Sequence, residues 1–145
     1  MHENFIGYKV GRHQHTPEIE QLLSEVALSK IEVTFVPHLL PVYRGILSTI
    51  YVNRKPGIKK DKLVKAYEKF AESEPFVRFL GVGRFPTLKN VQLTNFCEIG
   101  IAIEDKSDQV IIISAIDNLI KGASGQAVQN MNIRMGFAEE AGLML

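Results

Sequence analysis

Two histidines, His13 and His15, stand two positions apart just ahead of Thr16-Pro17-Glu18, a strong helix start. Thr16 is placed to cap a free amide, Pro17 suits the first helical position, and Glu18 favours the positive end of the dipole. In an extended segment residues two apart share a face, so both imidazoles can point together. A metal site would need further ligands at ligand spacing. His2, His38 and the single Cys97 form no such constellation, and no metal is expected. A histidine just before a helix meets the positive dipole end, which favours a neutral ring able to accept a proton. A plain hydrogen bond to the turn is the alternative, and spacing alone leaves both open.

The remaining candidates carry weaker signals. Cys97, in "TNFCEIG", leads into an apolar strand and reads as a small packed residue, whereas a reactive thiol wants an accessible, electropositive position. "GVGRF" has only GxG with no helix behind it, and "KGASGQ" lacks the frame and the terminal Lys-Ser/Thr of a phosphate loop. Arg44, in "PVYRGIL", is a possible carboxylate clamp.

Elements must hold these residues in place. Residues 4–10 (NFIGYKV) read as a strand. The helix after Pro17 carries Ile19, Leu22, Leu23, Val26 and Ala27 as one buried stripe and fades near Ser29. Residues 32–36 and 46–52 have the β-branched and aromatic content of strands, with Pro37 and Pro41 bracketing their connection. A second amphipathic helix covers about residues 60–72, with Leu63, Ala66, Tyr67, Phe70 and Ala71 as its stripe. "PFVRFLG" is a short strand and "VGRFPTLKN" a loop. "EIGIAIE" alternates, "QVIIIS" is continuously apolar, and "DKSD" between them makes a hairpin turn. A last helix, about residues 119–136, has its stripe at Ala123, Ala127, Val128, Met131 and Met135. Small residues at its start permit close approach of a backbone or ligand. This order predicts one α+β domain over residues 1–145, with a largely antiparallel mixed sheet and helices packed on one face.

Bulk properties narrow the function classes. A net charge of +1 provides no broad field for nucleic acid or anionic lipid, and the lysines at 59, 60, 62 and 65 are interleaved with acids as on a solvated helix face. One cysteine excludes an intramolecular disulfide, and no apolar run approaches the roughly 20 residues of a membrane span. "MHENFIGYKV" lacks the charged head and apolar centre of a signal peptide, so a cytoplasmic location is expected.

Five separated blocks, "HQHTPEIEQ", "PHLLPVYRGIL", "EPFVRFL", "NFCEIGIAIE" and "SAIDNLIKGASGQAVQNMN", run through nearly the whole chain in order. Together they resemble the N-acetyl-gamma-glutamyl-phosphate reductases, arginine-biosynthesis relatives of aspartate-semialdehyde dehydrogenase. The resemblance implies a glyceraldehyde-phosphate/semialdehyde dehydrogenase-like C-terminal fold. Members of that family are more than twice as long. They carry a Rossmann domain with a Gly-rich turn and a nucleophilic cysteine in a Pro-Gly-Cys segment, and neither GxGxxG nor PGC occurs here. The abrupt opening strand fits a chain cut within the second domain, and this portion alone is expected to be inactive.

The resemblance also implies roles. A cysteine outside these residues forms a thioester with the acyl group, and NADPH supplies the hydride that gives the aldehyde. The imidazole matched by "HQHTPE" promotes thiolate formation and shuttles the proton. His15, next to Thr16 as in the "H-S" step of semialdehyde dehydrogenases, takes that role. His13 orients substrate or packs, and Gln14 stands where arginine is usual. Arg44 and Tyr8 are possible substrate contacts. Asn118 and Gly122 open the helix expected to pack on the missing nucleotide domain and approach the nicotinamide. Implied partners are an acyl-phosphate substrate, the N-terminal Rossmann half, and further copies of the chain in a dimer or tetramer. The lysine-pathway paralogue and a non-catalytic oligomerisation or binding module are the alternatives.

Overall fold

Val110, Ile111, Ile112 and Ile113 in succession favour extended backbone, because two heavy atoms on each Cβ pack well on a pleated surface. This run lies in β6 (Gln109–Ile116), the most heavily paired strand of the chain. The computed structural model describes residues 3–104 and 106–143, and the chain divides after Tyr43 into two compact units. In the second unit β6 pairs antiparallel with β3 (Ile46–Asn53) from Ile46↔Ile116 to Asn53↔Gln109. On its other side it pairs antiparallel with β5 (Cys97–Ile103), from Cys97↔Ile116 to Ile103↔Val110. β4 (Val77–Val82) lies parallel to β5, giving the order β3-β6-β5-β4. The expected largely antiparallel mixed sheet is therefore present, with its hairpin; Asp105 of the expected "DKSD" turn lies outside the described residues.

Helix α2 (Lys60–Ser73) stacks Tyr67 on Phe79 of β4 at 5.3 Å. Its expected stripe is only half covered, with Phe70 51% exposed. The chain leaving β4 passes directly over Gly100, where any Cβ would collide with the Arg84 carbonyl. The "VGRFPTLKN" segment ends in one helical turn, α3 (Leu88–Val91). Ile101, Val110, Ala115, Val91 and Phe76 form the buried apolar core.

β6 leads into Asp117, a π-helical turn (Ile120–Ser124) and α4 (Gly125–Met135). Asp117 is fully buried and accepts the N–H groups of Leu93 (2.8 Å), Leu119 (2.7 Å) and Ile120 (3.0 Å). Arg44 Nη1 adds bonds of 3.1 and 3.3 Å to its two oxygens. Desolvation pushes this carboxyl up, but the three backbone donors and Arg44 outweigh it, and its pKa lies below the ordinary 3.8. α4 turns its polar side inward. Gln129 Oε1 accepts from Asn95 (3.0 Å) and Lys121 (2.7 Å), and Asn132 Nδ2 donates to the carbonyls of Glu139 and Ala141. Its apolar stripe is outside, with Met131 51% and Met135 65% exposed.

The first unit departs from the pattern in the sequence. β1 is only Ile6–Gly7, paired with β2 (His38–Leu39), where residues 4–10 were expected to be extended. Lys9 adopts φ +47° and accepts the Arg12 N–H, and this turn ends the strand. Residues 32–36 keep the alternating exposure of a strand but join no ladder. The Val33 N–H donates to Glu20, and the neighbouring Ile31 N–H to Ser24 Oγ. Side chains of α1 (His15–Ala27) thus serve amides that a sheet would otherwise pair. The stripe of α1 is not buried within this chain: Leu22 is 62% and Val26 86% exposed.

Asp117→Ala should lower unfolding stability by about 3 kcal/mol or more, since it strands three amides and a guanidinium. Arg44→Met should cost about 1 kcal/mol, because that side chain is partly exposed. Urea titration checks both, and a loss below about 1 kcal/mol for Asp117→Ala contradicts the assignment. A depressed carboxyl stabilises fully above its ordinary pKa and loses that contribution as pH falls through the folded value. The urea midpoint of the parent should therefore drop more steeply below pH 4 than that of Asp117→Asn.

Candidate functional site

The first histidine cluster follows from one turn. The Arg12 N–H bonds the Lys9 carbonyl at 3.1 Å, and the Thr16 N–H bonds the His13 carbonyl at 3.1 Å, so the chain coils before α1 begins. Thr16 is not the cap that its sequence position implied. The helix starts at His15, and Gln14 at the capping position makes no side-chain bond. The open amide of His15 instead donates to His13 Nδ1 at 3.2 Å. A ring nitrogen that accepts carries no hydrogen, so neutral His13 holds its proton on Nε2.

His13 is 7% exposed and sits among three rings. Tyr8 meets it at 5.4 Å, Phe35 at 5.1 Å and His15 at 4.9 Å, each edge-on between centroids. Burial depresses its pKa; the charges of His15 and Lys9 push it the same way and Glu18 opposes them. His15 is exposed at the first turn of α1, with one edge against His13. Tyr8 is half-buried. Three of the residues singled out in the sequence thus come together in this unit.

The other three gather in the second unit, around Asp117. Arg44 spends its guanidinium on that carboxylate, and its carbonyl accepts Gln92 Nε2 at 3.2 Å. The Gly45 N–H donates to Asn118 Oδ1 at 2.8 Å, which fixes the amide and leaves Nδ2 as the end that can donate elsewhere. Gly122 is exposed in the π turn. A Cβ there would meet the Asp117 carbonyl at 3.4 Å and Ile116 Cδ1 at 3.5 Å, ordinary contacts. The chain's own packing does not require glycine at 122, in contrast to Gly125, where a Cβ would collide with Asn95 Oδ1. Asp117 was not singled out in the sequence. Its signal is an acidic residue ending an apolar strand in "SAIDN" and followed by open amides.

Cys97 is half-buried, and burial pushes its thiol up while Lys121 opposes, which suits a packed residue rather than a nucleophile. Among the described residues no group of three or more His, Cys, Asp or Glu side chains is placed to hold a metal ion. A hollow of about 290 Å³ beside Glu68, Ala71, Glu72 and Phe79 is lined by none of the six residues singled out in the sequence. Among the described residues no helix is long and apolar enough to cross a membrane.

The chain is similar in sequence to known proteins. The N-acetyl-gamma-glutamyl-phosphate reductase of Clostridium botulinum (strain Eklund 17B / Type B) is 54% identical over 143 residues, covering 99% of this chain and 42% of its own. The reductases of the same name from Geobacter sp. (strain M21) and Staphylococcus saprophyticus are 52% and 46% identical, again over 42% of their lengths. The chain thus spans less than half the length of the relatives it matches. In fold it is similar to aspartate semialdehyde dehydrogenase II of Vibrio cholerae, with a TM-score of 0.71 at 17% identity over 93% of this chain and 42% of that one. Residues 1–118 match the family described as semialdehyde dehydrogenase, dimerisation domain. With its mixed sheet and this match over most of its length, the chain belongs to the semialdehyde dehydrogenase dimerisation-domain family.

Proposed function

We propose that the chain is the C-terminal catalytic and dimerisation region of a reductase that converts N-acetyl-gamma-glutamyl phosphate to N-acetyl-glutamate semialdehyde and phosphate in the cytoplasm. The observation that carries this reading is His15: an exposed imidazole at the open end of a helix, backed by a buried histidine that holds its amide. The reaction needs a thiolate, and neither a Pro-Gly-Cys segment nor a Gly-rich dinucleotide turn occurs among these residues. Both are assigned to a nucleotide-binding half, and residues 1–145 alone are taken to be inactive. His15 accepts the proton of the thiol as its sulfur bonds the acyl carbon and phosphate leaves. Its charge would then face the alkoxide formed when the thioester is reduced, and it returns the proton to the thiolate released with the aldehyde. Tyr8 lines the same cluster as a possible substrate contact. Arg44, held by Asp117, reaches substrate only through its partly exposed edge.

The dinucleotide is NADP, held mainly by the nucleotide-binding half, and in its reduced form it would supply the hydride. Asn118 and Gly122 are assigned to its nicotinamide end, supported by the exposure of Gly122 and by the Gly45 N–H bond that holds Asn118 Oδ1. The outward Met131 and Met135 stripe of α4 docks against the same half. β3 is an edge strand with Leu47 and Tyr51 exposed on one face and Ile50 and Val52 on the other, and a second copy of the chain covers it. The relatives' shared name favours this substrate over the one-carbon-longer acyl phosphate of the lysine pathway.

Fusing residues 1–145 behind the remaining portion of the Clostridium botulinum relative should give an NADPH-dependent reductase. His15→Asn in that fusion should lower kcat roughly 10²- to 10⁴-fold; an unchanged kcat removes His15 from the chemistry. Leu47→Glu with Tyr51→Glu should convert a dimer to monomer in sedimentation equilibrium. A parent that is already monomeric at tens of micromolar contradicts the second-copy assignment.

A further inference from the structure

His13 is almost out of reach of any substrate, yet it is the buried residue nearest the imidazole assigned to proton transfer. Its ring does three things at once. It fills the space between Tyr8 and Phe35, it offers Nδ1 to the His15 N–H, and it lays an edge against the His15 ring at 4.9 Å. A helix start has donors without intrahelical partners, and a side-chain acceptor there fixes both the amide and the direction in which the first residue leaves the turn. In this chain the acceptor is an imidazole two residues back, and the residue it fixes is His15 itself.

We infer that His13 is a positioning residue for the reaction, acting through His15: its neutral ring, protonated at Nε2, anchors the backbone and one ring edge of the proton-transferring histidine. This assignment rests on the proposed role of His15. It replaces the substrate contact that the sequence alone allowed for His13.

The anchor depends on charge. Once protonated, His13 has no acceptor for the His15 amide, and two cationic rings would then lie edge to edge. The titratable and charged groups facing it are His15, Lys9, Glu18 and the Tyr8 phenol. His15 and Lys9 disfavour its protonation and Glu18 favours it. Near neutrality the ring is held uncharged, and the anchor fails in acid.

Three readouts test the inference. Long-range ¹H–¹⁵N correlation on the 145-residue chain at pH 7 should show His13 neutral with its proton on Nε2; an Nδ1–H tautomer or a doubly protonated ring overturns it. In the fusion enzyme His13→Phe keeps a ring in the cage but loses the acceptor, and should lower kcat roughly ten- to a hundredfold with KM for the acyl phosphate within about twofold. His13→Asn, whose Oδ1 sits where Nδ1 sits, should recover most of that loss. The acid limb of its kcat profile should fall with one proton, against a steeper parent. A KM effect without a kcat effect, or a His13→Asn profile superimposable on the parent, overturns the inference. The two readings fail separately. An inert His15→Asn removes the proposed chemistry, whereas a crippled His15→Asn beside a fully active His13→Phe removes only the positioning role.

Discussion

Asp117 is a carboxylate with no exposed surface, and the second unit is arranged around it. An unpaired charge in such a place would cost several kcal/mol, so the chain brings it three amides and a guanidinium. Those donors come from three stretches far apart in sequence: Arg44 ahead of β3, Leu93 after α3, and Leu119 and Ile120 where the π turn begins. Satisfying one side chain therefore fixes where β6 stops and where the helix after it begins. Asn118 and Gly122 inherit their places from that junction. Arg44, read in the sequence as a possible clamp for a carboxylate, holds the Asp117 carboxylate in this junction.

The same chain leaves large apolar areas without a partner of its own. α4 holds its domain with Gln129 and Asn132 and faces methionines outward, an inversion of the usual amphipathic helix. β3 is apolar on both faces at an open sheet edge. Polar residues specify where α4 sits, and the apolar stripe remains for another body. Such a distribution is what the proposed contacts with a nucleotide-binding half and a second copy would cover.

Strong local patterns in the sequence survived into the fold, and patterns that depend on distant side chains did not. The β5–β6 hairpin was legible because alternation in "EIGIAIE" and a continuous Val-Ile run leave no competing period. α2 was legible from its stripe of Leu63, Ala66, Tyr67, Phe70 and Ala71. Residues 32–36 have the composition of a strand, but Ser24 and Glu20 supply acceptors that a pattern along the chain cannot reveal. β1 is short because Lys9 takes a left-handed turn that few lysines adopt. At the candidate site the histidine pair was visible and the resemblance assigned proton transfer to His15, but the bond from the His15 N–H to His13 Nδ1 was not legible. The buried acceptor and the exposed ring differ only in how the turn folds them. Asp117 escaped notice because most aspartates are solvent-facing.

The central claim is that the exposed His15 imidazole draws the proton from a thiol on the nucleotide-binding half. The rate of alkylation of that thiol by iodoacetamide, followed against pH in the fusion enzyme, measures this without turnover. The account predicts an apparent thiol pKa well below the ordinary value of about 8.5 in the parent and a return toward it in His15→Asn. Identical alkylation profiles for the two proteins would contradict it.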